Sequence, residues 1–173
     1  MRANDPAPRR VLGIDPGSRV TGFGVVDTDT RRLAYVASGV IRVEGRSFPE
    51  RLRAIFEQLG EVVESYGPAE CAIEQVFVRH NPDSALKLGQ ARGAAICACV
   101  GRGLPLAEYT ASMVKQAITG NGAAGKEQVQ YMVRTLLGLK GRLREDASDA
   151  LGVALCHIHR DRLAGRLTGG GWE

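Results

Sequence analysis

Apolar and polar positions along this chain change their spacing in steps. Three short apolar runs come first, at residues 10–15, 21–28 and 32–43, broken at Pro16-Gly17 and at Thr28-Asp29-Thr30. Runs of this length between turn residues predict strands, and their short connections predict antiparallel neighbours. Ser47-Phe-Pro-Glu50 then has the spacing of a capping box. Behind it Leu52, Ile55, Phe56, Leu59, Val62 and Val63 recur at helical intervals as far as Tyr66, and Gly67-Pro68 stops the helix. Residues 70–76 read as a buried strand. A helix over 83–101, a strand over 105–109 and helices over 111–118, 126–137 and 147–163 complete the order. Three strands, a helix, a strand, a helix, a strand and then helices predict an α/β layer fold. Its mixed five-stranded sheet would start as an antiparallel meander, continue with parallel strands, and be flanked by helices. At 173 residues one domain is expected. It would span 10–163, with flexible ends at 1–9 and 164–173.

Four acids interrupt this apolar pattern. Asp15 ends the first strand in Gly-Ile-Asp-Pro-Gly, and Glu74 stands at the end of Cys-Ala-Ile. Asp146 and Asp149 lie three apart where the last apolar helix begins, so they share a helical face. Each has an ordinary reading as well. Asp-Pro-Gly is a common turn, a strand-end Glu can reach solvent, and an acid at a helix start is favoured by the dipole. Two acids are more than a cap requires, and a buried lone Glu is expensive unless paired or coordinated. Acids at two strand ends and one helix start can converge. Convergent carboxylates repel until a hard divalent cation such as Mg²⁺ neutralises them. Two such ions side by side serve in-line displacement at phosphodiesters.

Charge and cysteine usage narrow the setting. The net charge is +4, mostly from Arg, which suits phosphate contacts without requiring them. Cys71, Cys97, Cys99 and Cys156 all lie in apolar runs with no Cys-x-x-Cys pair, which predicts buried free thiols in a reducing cytoplasm. Cys156, His157 and His159 have no second ligand cluster, so zinc is not expected. Met1 to Arg10 has no apolar leader core, and no run is long enough to predict a membrane span. Ala85, Gly89, Gly93, Cys97 and Gly101 form a small-residue stripe on the 83–101 helix. Such a stripe lets another backbone approach, from its own sheet or from a second copy. The expectation taken here is a dimer contact, with Leu86, Leu88 and Ile96 as apolar partners.

Six fragments in order make the pattern specific. They are Gly13-Ile-Asp-Pro-Gly-Ser, Ala72-Ile-Glu-Gln-Val-Phe, Asn81-Pro-Asp-Ser-Ala-Leu-Lys-Leu-Gly-Gln-Ala-Arg-Gly93, Val114-Lys-Gln-Ala, Lys126-Glu-Gln-Val-Gln and Asp146-Ala-Ser-Asp-Ala-Leu. Together they closely resemble the crossover junction endodeoxyribonucleases of the RuvC family. The resemblance implies a ribonuclease H-like fold and a homodimer that resolves Holliday junctions in recombination and repair. It would do so by paired symmetric nicks leaving 5′-phosphate and 3′-hydroxyl ends. It implies partnership with the branch-migration proteins RuvA and RuvB. The family's metal-binding acids fall on Asp15, Glu74, Asp146 and Asp149, which would hold two Mg²⁺ ions, with Mn²⁺ as a substitute. Lys115 and Lys126, surface lysines by composition alone, take catalytic and phosphate-binding roles by the resemblance. The Gly120–Gly125 loop ahead of Lys126 suits a mobile clamp. Phe77 takes a base-stacking role, an interaction of about 1–3 kcal/mol. Arg79, His80, Lys87 and Arg92 are expected near the same DNA. Two other readings stand beside this one: an actin-like phosphotransferase, which also opens on Asp-x-Gly, and a junction-binding protein without catalysis.

Overall fold

A computed structural model describes residues 8–29, 32–76 and 81–168, with side chains as far as residue 164. Five strands and five helices follow one another as β1 (Arg9–Asp15), β2 (Val20–Thr28), β3 (Leu33–Arg42), α1 (Phe48–Tyr66), β4 (Glu70–Glu74), α2 (Pro82–Val100), β5 (Leu106–Tyr109), α3 (Ala111–Thr119), α4 (Lys126–Leu136) and α5 (Glu145–Thr168). Every predicted element is present. The last helix is the main departure, because it begins at Glu145 and continues to Thr168. Asp146 is thus inside its first turn, and residues 164–168 extend the helix instead of opening the tail. Arg9, expected in the N-terminal tail, pairs with Thr28 as the first residue of β1.

The sheet order is β3-β2-β1-β4-β5. β1 and β2, and β2 and β3, pair antiparallel, while β1 with β4 and β4 with β5 are parallel. Side chains alternate across the sheet, so each strand feeds two cores. Leu12, Ile14, Val25, Cys71 and Ile73 meet α1 and α2 on one face. Val11, Val26 and Ala72 meet α3, α4 and α5 on the other. At the entry to α1, Glu50 accepts from the Ser47 backbone N–H at 2.9 Å and from its hydroxyl at 2.6 Å. Among the described residues no helix is long and apolar enough to cross a membrane.

A row of glycines seats α5 on the sheet. Gly13 and Gly24 are register partners, and Gly22 lies opposite Asp15. A Cβ at Gly13 would overlap the Ala150 carbonyl, and one at Gly22 would overlap the Asp146 carbonyl. At Gly24 it would stand 2.7 Å from the Leu151 side chain. The helix backbone therefore lies directly on the strands, closer than any larger residue permits. Gly13→Ala is expected to cost at least about 3 kcal/mol, because backbone cannot yield as a flexible side chain does. Thermal melting followed by circular dichroism checks this, and an unchanged midpoint would mean that α5 can lift without loss.

Candidate active site

Strand alternation and register bring the acids together. Val11, Gly13 and Asp15 point to the α5 face, as do Ala72 and Glu74. Ile14 pairs with Ile73 in the parallel ladder, so Asp15 and Glu74 follow side by side at the two strand ends. Gly22, across from Asp15, receives the backbone of Asp146. One turn on, Asp149 projects from the same side of α5. All four carboxylates are half-buried.

Local bracing fixes each position. A Cβ at Gly17 would overlap the Val20 carbonyl, so the bend after Asp15 needs glycine there. Buried Thr21 closes that bend by donating to the Gly17 carbonyl at 3.1 Å. At the end of β4, Arg92 of α2 donates from Nε to the Glu74 carbonyl at 3.2 Å and pairs with Glu108 at 2.6 Å. The Gln75 N–H donates to the Tyr109 carbonyl at 2.8 Å.

The electrostatics are those of a crowded anionic site. Burial, and then the charges of Glu74, Asp149 and Asp146, push the Asp15 carboxyl up to about 8, with Lys126 offsetting part of the rise. Glu74 and Asp149 are raised for the same first reason, burial. Burial would lower the Lys126 ammonium, but its hydrogen bond to Glu145 and the charge of Asp149 win, and it is raised overall. Lys126 contacts Glu145 and lies 3.1 Å from Asp149. Lys115 lowers Glu74 by its charge and, with Lys126, Glu74, Val114, Val129 and Asp149, lines a cleft of about 240 Å³. A donor set of carboxylates alone, with no thiol or imidazole, matches hard divalent cations.

The other sequence-derived residues sort differently. Phe77, Arg79 and His80 lie outside the described residues. Lys87 is ion-paired to Asp83 on its own helix at 2.6 Å. Arg92 is half-buried and braces the Glu74 strand end. The glycine-rich loop is braced more than its composition suggests. Gln116 donates to the Gly120 carbonyl at 2.9 Å and accepts from the Gly122 N–H at 3.0 Å, and Asn121 accepts from the Ala123 N–H at 2.9 Å. Three cysteines are buried as expected, but Cys97 is exposed because the stripe that carries it faces away from the sheet. Cys156 Sγ lies 3.6 Å from the Met113 carbonyl and His159 Nδ1 3.1 Å from the Ala117 carbonyl.

A second polar cluster, unforeseen from sequence, lies two turns and more beyond Asp149 along α5. Glu70, His157 and Asp161 bring potential ligand atoms within 4.8 Å of one another. Arg9 already bridges both carboxylates, at 2.8 Å to Glu70 and 2.8 Å to Asp161. His157 Nε2 donates to Glu70 at 2.8 Å, and its Nδ1 accepts from the Tyr109 hydroxyl at 2.7 Å. Burial, chiefly, holds that phenol up at about 12, so it stays a donor. With a guanidinium as its counterion, this network ties β1, β4 and β5 to α5 and is separate from the four-acid centre.

Comparisons with known proteins point to one family. The family model described as crossover junction endodeoxyribonuclease RuvC matches residues 11–157. The relative of that name from Methylococcus capsulatus is 59% identical over 159 residues, 92% of this chain and 96% of its own. That from Alkalilimnicola ehrlichii is 56% identical over 158 residues, 91% and 96% of the two chains. Among solved structures, Thermus thermophilus RuvC in complex with a Holliday junction substrate superposes with a TM-score of 0.85 at 34% identity, covering 90% of this chain and 96% of that one. The yeast mitochondrial Holliday junction resolvase Ydc2, at 14% identity and a TM-score of 0.67 over 93% and 82%, shares the fold. A ribonuclease H-like sheet with four acids gathered at its strand ends, a family match spanning both, and relatives more than half identical along nearly their whole length show that the chain belongs to the crossover junction endodeoxyribonuclease RuvC family.

Proposed function

We propose that the protein resolves four-way DNA junctions by hydrolysis, with one nick on each of two opposed strands, in recombination and repair. The observation that carries this reading is the convergence of Asp15, Glu74, Asp146 and Asp149 on one face of the sheet in a chain of this family. Water adds to the scissile phosphorus and the 3′ oxygen leaves as a hydroxyl, giving 5′-phosphate and 3′-hydroxyl ends. The family implies a divalent metal, and the carboxylate-only donor set favours two Mg²⁺ ions, with Mn²⁺ as a substitute. When bound, they supply a lowered pKa for the attacking water and charge stabilisation at the departing oxygen.

The protein's own groups arrange that reaction. Asp15, most deeply placed, holds the centre, and Glu74 and Asp149 close on it from β4 and α5. Asp146 completes the set from the first turn of α5, where the helix dipole favours its charge. Lys126 balances Asp149 and Glu145 before substrate arrives and can turn its ammonium to the phosphate. Lys115 covers the Glu74 side of the cleft. Arg92 keeps the β4 end in place.

Paired cuts need paired sites. On α2 the outward face carries Leu86 and Val100, 68% and 53% exposed, with open space over Gly89 and Gly93. A second copy packed on this face would make a two-fold dimer matched to a two-fold junction. Partnership with RuvA and RuvB follows from the family, and free cysteines fit a reducing cytoplasm. Family membership sets the actin-like alternative aside, and the complete acid set speaks against a binder without catalysis.

The test is cleavage of a labelled four-way junction, mobile over a few base pairs, in Mg²⁺ and in EDTA, with duplex of the same sequence alongside. Symmetric nicks on the junction alone, abolished by EDTA, are expected. Junction binding without nicking in either Mg²⁺ or Mn²⁺ would overturn the catalytic reading.

A further inference from the structure

Two thiols in the core have no part in the chemistry above. Cys71 lies in β4, three residues before Glu74, and Cys99 lies in the last turn of α2. Both are fully buried in the cluster that the sheet forms with α1 and α2. One short segment ties their backbones together. The Leu104 N–H donates to the Cys99 carbonyl at 3.3 Å, and the Cys71 N–H donates to the Pro105 carbonyl at 2.9 Å. The two sulfurs stand against each other and share a hydrogen bond, both as free thiols.

The pair is asymmetric. The hydrogen bond from Cys71 lowers the Cys99 thiol, burial opposes it, and the charge of Arg102 lowers it further, so Cys99 falls below the ordinary value. The same hydrogen bond and then burial push Cys71 up. Cys99 is thus the nucleophile and Cys71 the resolving thiol. Cys99 also lies where a helix opens most readily, two residues before Gly101 caps α2. Hydrogen peroxide supplies the oxidising equivalents. The Cys99 sulfur attacks one peroxide oxygen, the O–O bond breaks, and the leaving hydroxide takes the Cys99 proton as water. The Cys71 sulfur then attacks the resulting sulfenic sulfur, the S–O bond breaks, and a second water leaves with the Cys71 proton. The two thiols lose two electrons, and the peroxide is reduced to two waters.

We propose that Cys71 and Cys99 form a redox modification site, at which hydrogen peroxide closes a disulfide that switches the acid centre off. The proposal rests on the junction-cutting reading and adds a regulation to that site. A disulfide holds its sulfurs about 2 Å apart, whereas unbonded atoms stay about 3.5 Å apart or more. Closing that gap draws β4 towards α2. Cys71 points to the α2 face of the sheet, while Glu74 shares a cleft with Asp149 on the α5 face. The same movement therefore draws Glu74 away from Asp149, and it shifts β4 against Arg92, which reaches the Glu74 carbonyl from α2. Misplacing a catalytic group by about 1 Å costs on the order of 100-fold in rate. A thiol reductant opens the bond and returns the strand.

The experiment treats the full-length protein with hydrogen peroxide, blocks the remaining thiols with N-ethylmaleimide, and maps peptides before and after reduction. Nicking of a four-way junction is measured across Mg²⁺ concentrations, junction binding in EDTA, and the melting midpoint with and without Mg²⁺. A Cys97→Ser/Cys156→Ser double variant keeps only the core pair, and Cys71→Ala and Cys99→Ala each break it. A peptide pair linking Cys71 to Cys99 is expected in wild type and in the double variant. Their nicking should fall at least about tenfold at low Mg²⁺, with binding in EDTA unchanged, and dithiothreitol should restore it. Mg²⁺ should raise the midpoint of the oxidised protein less than that of the reduced one. The two single variants should nick as wild type does and keep that rate after peroxide. Peroxide and reductant act on one folded chain, so the test stands even where a core variant fails to fold. Absence of the link, or a link that leaves nicking and the Mg²⁺ shift unchanged, would overturn the proposal. An equal loss in Cys71→Ala and Cys99→Ala would overturn it too, and would trace the damage to other oxidised side chains. A reduced wild type that never nicks the junction would instead sink the junction reading, while the linked peptides and the Mg²⁺ shift still decide whether the bond reaches the acid centre.

Discussion

Asp15→Asn is expected to stop nicking of a four-way junction while leaving junction binding intact or tighter. The amide keeps the size of the carboxyl and most of its hydrogen bonding, so the bend built by Gly17 and Thr21 stays in place. What disappears is the negative charge at the centre of the acid cluster. Asp15 feels Glu74, Asp149 and Asp146 together, which makes it the point where the four groups meet. Replacement of a metal ligand should cost more than the 10–100-fold typical of a supporting residue, so a drop of at least about 10³-fold in single-turnover nicking is expected. Phosphate near the site is repelled less by an amide than by a carboxylate, hence equal or stronger binding. Nicking that persists within about tenfold of wild type would remove Asp15 from the metal centre.

The acids themselves were legible in the sequence because each breaks a pattern. Asp15 and Glu74 interrupt apolar runs at strand ends, and Asp146 and Asp149 crowd a helix start. Element order was legible for a similar reason, since turns at Pro16-Gly17, Gly67-Pro68 and Gly120 punctuate runs of different period. Pairing across elements was not. Periodicity says which face a residue shares with its own segment, and nothing about what lies opposite. The seat of α5 depends on Gly13 facing Gly24, and on Gly22 lying beside Asp15, which only the β1–β2 register reveals. Arg92 was expected near the DNA by the resemblance, and its contacts with the end of β4 and with Glu108 were not legible from its own segment. Cys97 read as buried because its neighbours are apolar, yet the small-residue stripe of α2 faces outward. The Glu70–His157–Tyr109 network draws on β4, α5 and β5, elements far apart in the chain, and no local spacing announces it.

Without divalent metal, Asp15→Asn should melt at a higher temperature than wild type at pH 8, with the gap closing towards pH 5. The folded protein holds the Asp15 carboxyl at about 8, first through burial and then through its acidic neighbours, while the unfolded chain titrates near the ordinary carboxylate value. Below that ordinary value the group is protonated in both states and contributes no pH dependence. Between the two values the unfolded chain releases its proton and the folded chain keeps it. The folded state therefore loses stability as pH rises, and the loss levels off above about 8. Glu74 and Asp149 are raised as well and push in the same direction. Asparagine has no proton to lose at this position, so the variant escapes the largest part of the penalty. The difference at pH 8 should exceed about 1.4 kcal/mol, a tenfold factor in proton binding, or roughly 3 °C or more in a chain of this size. Mg²⁺ should raise the midpoint of wild type more than that of the variant, because a cation binds only where the charge it neutralises is present. Equal midpoints in EDTA at pH 8 would mean that neither burial nor the neighbouring acids hold the Asp15 carboxyl up. The penalty on the Asp15 carboxylate comes first from its burial and then from its three acidic neighbours, and a cation that neutralises the cluster relieves both.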